Sequence, residues 1–240
     1  MKIQNNIGWC DETTNAVTGC DKVSPGCKNC YAATGTRARV LRAQGIETWG
    51  PGGVRHPVAQ FAEKIRRLNK LCVCDVCHEA YPIRHLTLPS PRSSGGEGES
   101  LPICGCGGPV RRIRLFADSN SDWLDEKWPI EMLANFLNEI RLAPNVDVLL
   151  LTKRPGNFEQ RLRDAANEWF TSHDCATAKD LPRWIDDWLD NAPPPGVWIG
   201  VSVENQKYAD ERIPLLRQIP AAVRFVSCEP LLEAVDLELD

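Results

Sequence analysis

The sequence predicts an α/β fold: a parallel sheet that right-handed crossovers curl into a partial (β/α) barrel, with a ribbon-like segment inserted early in the chain. Three observations carry this. Strand-like and helix-like segments alternate along most of the chain. Asp147-Val148-Leu149-Leu150-Leu151 is a near-continuous apolar run, as expected of a strand buried on both faces. Four strand-like segments end in polar clusters: Asp118/Ser119/Asp122, Thr152/Lys153, Ser202/Glu204 and Ser227/Cys228/Glu229. Parallel α/β folds line their sites with such carboxyl ends. A chain of 240 residues can bury a substantial core, as one domain with an insertion or a small α/β barrel.

Taken in order, residues 3–18 are polar and turn-rich, with a short strand expected near Ile7–Cys10. A cysteine loop follows, Cys20-x6-Cys27-x2-Cys30, with Ser24, Pro25 and Gly26 as turn formers in its middle. Tyr31 to Gln44 suits a helix, with Gly45 as C-cap. Val58, Phe61, Ile65 and Leu68 recur at helical spacing with Lys64, Arg66, Arg67 and Lys70 between them. A solvated surface accounts for that basic face more simply than a nucleic-acid patch does. Beyond the insertion, Arg111–Phe116 reads as a strand and Pro129–Leu142 as a helix with proline at its first turn. The buried strand 147–151 is followed by helices near 157–170 and 181–190, whose Trp169, Trp184 and Trp188 read as core. A strand over 196–205 with polar residues at its C-terminal end, a helix over 206–218 and a strand from Val223 complete the alternation. The organisation expected is residues 1–70 as the first part of the barrel, 71–110 as the insertion and 111–240 as the remaining strands and helices.

A formal net charge of -4 gives no global nucleic-acid signal. The N-terminus lacks the apolar core of a signal peptide, and no apolar run approaches a membrane span, so a cytoplasmic protein without a membrane partner is expected. Eleven cysteines in a reducing compartment favour metal over disulfides. Cys10, Cys175 and Cys228 are scattered and read as small buried residues. Cys72, Cys74, Cys77, Cys104 and Cys106 flank a Pro/Ser/Gly tract in the manner of a zinc ribbon. Cys74, Cys77, Cys104 and Cys106 are the expected zinc ligands, with Cys72 or His78 as substitutes. Four thiolates would close the coordination sphere, so a structural role is expected of this zinc.

Three cysteines on the loop after the first strand of a β/α barrel resemble the radical S-adenosylmethionine (radical SAM) superfamily. More closely, the chain is similar to a phage- and mobile-element-borne family of radical-SAM-like proteins of unknown function, and more distantly to spore photoproduct lyases. The blocks that carry this are Gly19-Cys20 with Ser24-Pro25-Gly26-Cys27-Lys28-Asn29-Cys30-Tyr31-Ala32, Ser119-Asn120-Ser121-Asp122, Leu151-Thr152-Lys153-Arg154-Pro155, Gly200-Val201-Ser202-Val203-Glu204-Asn205, and Arg224-Phe225-Val226-Ser227-Cys228-Glu229-Pro230. The resemblance implies a [4Fe–4S] cluster on Cys20, Cys27 and Cys30 whose open iron chelates S-adenosylmethionine. One-electron reduction, from a donor such as flavodoxin or ferredoxin, would then yield methionine and a 5′-deoxyadenosyl radical that abstracts hydrogen from a substrate. It also implies that Tyr31, Ser119, Asp122, Lys153, Ser202 and Glu204 line the cofactor or substrate pocket. The chain departs from the superfamily in its x6-x2 spacing and in Asn29 before the last cysteine. It also stops before the family's next strand and glycine-rich block, so a C-terminally truncated barrel of radical-SAM type is expected, and such a fragment could hold the cluster yet be inactive.

Two functions follow. The first is a radical SAM enzyme with an inserted zinc ribbon, acting on a nucleic acid or nucleotide. The second is a non-enzymatic zinc-binding module that contacts nucleic acid or protein. The absence of a fourth cysteine or histidine near the first trio favours the open-site cluster.

Overall fold

The computed structural model describes residues 2–3, 5, 7–83, 102–173 and 178–237. The expectations that fall on Cys175 and on the tip of the Pro/Ser/Gly tract lie outside the described residues. The fold is mixed α/β around a mostly parallel sheet. Its strands are β1 (Glu12–Thr14), β4 (Leu71–Cys74), β5 (Ala80–Pro82), β6 (Val110–Ala117), β7 (Val146–Thr152), β8 (Val197–Ser202) and β9 (Val223–Ser227). A separate two-residue pairing joins β2 (Val17–Thr18) to β3 (His56–Pro57). The parallel ladder runs β1-β6-β7-β8-β9. The described strands form an open sheet and do not close into a barrel.

Strand β6 is the branch point. Its first residues pair antiparallel with β4, Cys72 opposite Arg112 and Cys74 opposite Val110. Its last residues pair parallel with β1, Glu12 opposite Leu115 and Thr14 opposite Ala117. The ribbon-like segment is therefore stitched into one end of the main sheet, while β1 delivers the chain to the other end and into the cysteine loop.

The first strand lies later than its expected place near Ile7–Cys10. Gly8 and Trp9 form a turn instead, and Asp11 anchors the chain by accepting from the Arg114 N–H at 2.7 Å and from the Arg111 guanidinium. The expected helix from Tyr31 divides into α1 (Tyr31–Thr34) and α2 (Thr36–Ala43) because Gly35 is extended, with ψ 169°. The other helices match the periodicity: α3 (Gln60–Leu68), α4 (Ile130–Arg141), α5 (Phe158–Ser172), α6 (Asp180–Leu189) and α7 (Gln206–Gln218). Their apolar stripes pack against β6–β8, whose Ile113, Leu115, Val148, Leu150, Ile199 and Val201 are fully buried. Trp188 is fully buried and Trp169 nearly so, and Trp184 packs against the same core. Half of the basic face of α3 is neutralised from within: Lys64 donates to Glu12 at 2.7 Å and Arg66 pairs with Glu139. Among the described residues no helix is long and apolar enough to cross a membrane.

Candidate functional site

The parallel strands end on one side, and their polar ends wall a cavity of about 810 Å³. That is within the range of small-molecule sites. Asp118 to Asp122 follow β6, Thr152 to Arg154 end β7, Ser202 ends β8, and Ser227 with Glu229 follows β9. The facing wall is the cysteine loop with α1, including Cys20, Cys27, Cys30 and Tyr31. Of the predicted pocket residues, Tyr31, Ser119, Asp122, Lys153 and Ser202 line this cavity together with the three cysteines. Glu204 stands behind the wall.

The loop takes its shape from small residues and from what meets it. Gly19 has φ +125°, and a side chain there would strike the Thr48 and Val54 carbonyls. Pro25–Cys27 forms one turn of 3-10 helix. Gly26 packs so closely on Glu204 that a methyl group would collide with its Cγ. Glu204 is wholly buried and holds the loop down. One carboxylate oxygen accepts from Ser24 Oγ at 2.6 Å and from Lys153 Nζ; the other accepts from Arg212 Nη1 at 3.0 Å. Lys153 Nζ also reaches Ser24 Oγ at 3.3 Å. A buried carboxylate with two cations and a hydroxyl is fully compensated. Glu204 thus ties the cysteine loop to β7, β8 and α7.

Asp122 is similarly engaged inside the wall. Its oxygens accept from Thr152 Oγ1 at 2.7 Å, the Leu124 N–H at 3.1 Å, the Lys153 N–H at 2.9 Å and Arg154 Nη1 at 3.0 Å. Tyr31 is 64% exposed, yet its hydroxyl donates to the Ser119 carbonyl at 2.9 Å, so the exposed ring is held at its tip. The Ser119 hydroxyl donates to Asn15 Oδ1 at 3.2 Å. Trp9 and Phe116 also line the cavity and pack on each other, with centroids 4.7 Å apart.

The environments of the sulfurs differ. Burial, reinforced by Asp122, pushes the Cys20 thiol up to about 12. Burial also pushes Cys27 upward, but hydrogen bonds from the Val23 backbone and Ser24, with the charge of Lys153, outweigh it and leave the thiol below its ordinary value. Arg154 Nη1 lies 3.7 Å from Cys20 Sγ. Arg154 therefore stands beside Cys20, and the charge of Lys153 acts on Cys27.

Arg154 was missed as a site candidate in the sequence, and Asp118 stood there only as one of the polar residues that end a strand. Arg154 bridges Cys20 to Asp122 and Asp125; its place inside the Thr-Lys-Arg block was the available signal. Asp118 has φ +87°, is nearly fully buried, and leaves Oδ1 without a partner while Oδ2 accepts from Ser121 Oγ at 3.0 Å. Burial holds its carboxyl well above the usual range. A left-handed aspartate is costly and concentrates at functional sites, but nothing in a single sequence reveals its φ.

The second cysteine set converges at the other end of β6. Cys74, Cys77, Cys104 and Cys106 bring their sulfurs within 4.8 Å of one another and could hold a metal ion. Cys74 and Cys106 sulfurs are 3.5 Å apart, and Cys77 and Cys104 sulfurs 3.7 Å. A tetrahedral zinc with thiolates at 2.3 Å requires about 3.8 Å. Tyr81 Oη sits 3.0 Å from Cys104 Sγ, and the Val76 N–H donates to Cys74 Sγ at 3.4 Å. The Cys106 backbone N–H, then the Tyr81 hydroxyl, push the Cys104 thiol down to about 6. Cys72 points elsewhere, donating to the Tyr81 carbonyl, and His78 stands outside the group.

A family model described as "Protein of unknown function (DUF5131)" matches residues 4–240. The chain belongs to this family. No curated protein and no solved structure matches the chain. The DUF5131 match covers the cysteine loop, the cavity walls and the second cysteine set alike.

Proposed function

We propose that this protein is a radical SAM enzyme: it holds a [4Fe–4S] cluster on Cys20, Cys27 and Cys30, binds S-adenosylmethionine in the cavity, and carries a structural zinc on Cys74, Cys77, Cys104 and Cys106. One observation carries the reading. Three cysteines on one loop face the polar strand ends across a cavity large enough for a cofactor, and no other described cysteine lines it. The residues fit such a cluster. The trio's sulfurs are not drawn within 4.8 Å of one another as the second set is. A single ion needs that closeness, whereas a multi-iron cluster holds its thiolates farther apart.

When bound and reduced by a flavodoxin- or ferredoxin-like donor, the cluster would supply the electron that breaks a sulfonium C–S bond, giving methionine and a carbon radical at C5′. The protein's part is placement and exclusion of water. Glu204 and Ser24 fix the loop; Arg154 and Lys153 balance thiolate charge. Trp9 and Phe116 give the cavity apolar lining that would help exclude water. Asp118 and Ser202 offer hydrogen bonds to the ligand. The test is release of 5′-deoxyadenosine from S-adenosylmethionine under anaerobic reduction. Wild type releases it and Cys27→Ala does not; equal release from both would overturn the assignment.

A further inference from the structure

The positive charge that matters is not on the helix where the sequence pattern displays it. On α3 Lys64 and Arg66 are paired with Glu12 and Glu139, whereas four cations of the segment that follows Asp21 along the cavity wall are not. From Lys22 to Ile46 the chain carries five cations, Lys22, Lys28, Arg37, Arg39 and Arg42, and no carboxylate, within a protein of net charge -4. Arg42 pairs with Glu47. Lys22, Lys28, Arg37 and Arg39 are exposed, and among the described residues none of them makes an ion pair. Lys22 and Lys28 line the mouth directly. Arg37 and Arg39 belong to α2, which is bracketed by two stretches that also line it, Tyr31–Ala33 and Trp49–Gly50. Within this rim stands Tyr31, exposed and pinned through its hydroxyl to Ser119.

We infer that this rim binds single-stranded nucleic acid, with backbone phosphates on Lys22, Lys28, Arg37 and Arg39 and a base stacked on Tyr31, so that a neighbouring base can enter the cavity toward Trp9. The inference rests on the proposed function for what happens in the cavity, but the binding surface stands on charge and geometry. Unpaired cations around an exposed aromatic ring held through its hydroxyl are what a sequence-tolerant single-strand surface needs. An acidic protein would be drawn by the same charge but would gain nothing from a ring pinned beside a cavity mouth. The carboxylates at the mouth do not cancel the patch: Asp21 is held by Lys127 and Arg55, and Glu229 stands on the facing wall after β9.

Each phosphate contact on a single strand contributes a salt slope of about 0.7 in log K against log salt, so four contacts predict a slope near -3. Losing two contacts weakens binding about 25-fold at ~0.1 M salt by the same relation. The experiment is fluorescence anisotropy of the full chain with labelled mixed-sequence DNA and RNA oligonucleotides of about 20 nucleotides, with iron assayed in every preparation. The Arg37→Glu/Arg39→Glu double variant is expected to bind at least about 25-fold more weakly, and Tyr31→Ala about fivefold or more, at the weaker end of base stacking. Arg183→Glu on α6, outside the mouth, is expected to bind as wild type does. A double variant that binds like wild type, or polyglutamate that competes as well as the oligonucleotide, overturns the inference. Loss of iron without change in this charge dependence fails the cluster reading and leaves the surface standing.

Discussion

Replacing Glu204 with glutamine tests how the cysteine loop is held. The substitution keeps the shape and one acceptor oxygen but turns the other oxygen into an NH2 donor and removes the charge. Ser24 Oγ can still donate to an amide oxygen, and Lys153, 19% exposed, can turn its ammonium toward water. Arg212 cannot, because its side chain is 4% exposed and its guanidinium already donates to the Ser202 carbonyl at 2.7 Å. The cost is therefore that of one buried cation left without its partner, about 3 kcal/mol, the low end for breaking a buried pair. For a domain of this size that lowers the melting temperature by about 6–12 °C. Urea titration with matched thermal melts measures it, and proteolysis within residues 20–30 should rise in parallel. A loss under about 1 kcal/mol would refute the claim that Glu204 clamps the loop, since an exposed pair costs no more than that.

Other outcomes follow from the same geometry. Asp147 is buried beside Arg112, and burial raises its carboxyl to about 6. A raised acid contributes stability that is full below the unfolded pKa, near 3.9, and is lost as pH rises through about 6. Wild type should therefore lose about 3 kcal/mol over that window relative to Asp147→Asn, measured by denaturant titration at several pH values; parallel profiles would contradict this. At the second cysteine set, Tyr81→Phe removes the hydroxyl beside Cys104 and should weaken zinc binding about tenfold or more, read by competition with a chromophoric chelator. Gly26→Ala should loosen the loop through collision with Glu204 and raise Ser24–Cys30 backbone exchange, read by hydrogen–deuterium exchange.

Much of the architecture was legible because its signals are local. The apolar run at Val148–Leu151 and the helical spacing of Phe61, Ile65 and Leu68 in α3 each follow from short-range pattern. Strand β1 escaped because Glu-Thr-Thr has no apolar alternation; it exists by pairing with β6. The division of α1 from α2 turned on one extended glycine. At the site, the cysteine sets separated cleanly by spacing, and the polar strand ends pointed to one cavity. What each polar residue does was not legible. Glu204 and Asp122 read as ligand-facing carboxylates, yet their oxygens are engaged by Lys153, Arg154, Arg212 and backbone groups. Those partners lie far apart in sequence, so only the fold reveals them. The unpaired cations of the rim were hidden for the converse reason: the periodic α3 face looked stronger, and its pairing with Glu12 and Glu139 is tertiary.

The most direct test of the central claim is the metal content of anaerobically reconstituted protein, wild type beside a Cys104→Ser/Cys106→Ser variant and Cys27→Ala. The account predicts about four irons with matching sulfide and one zinc in wild type. Iron should persist in the double variant while zinc is lost, and Cys27→Ala should show the reverse. A colourless wild type with two zincs and no iron, or iron lost together with zinc in both variants, would contradict it.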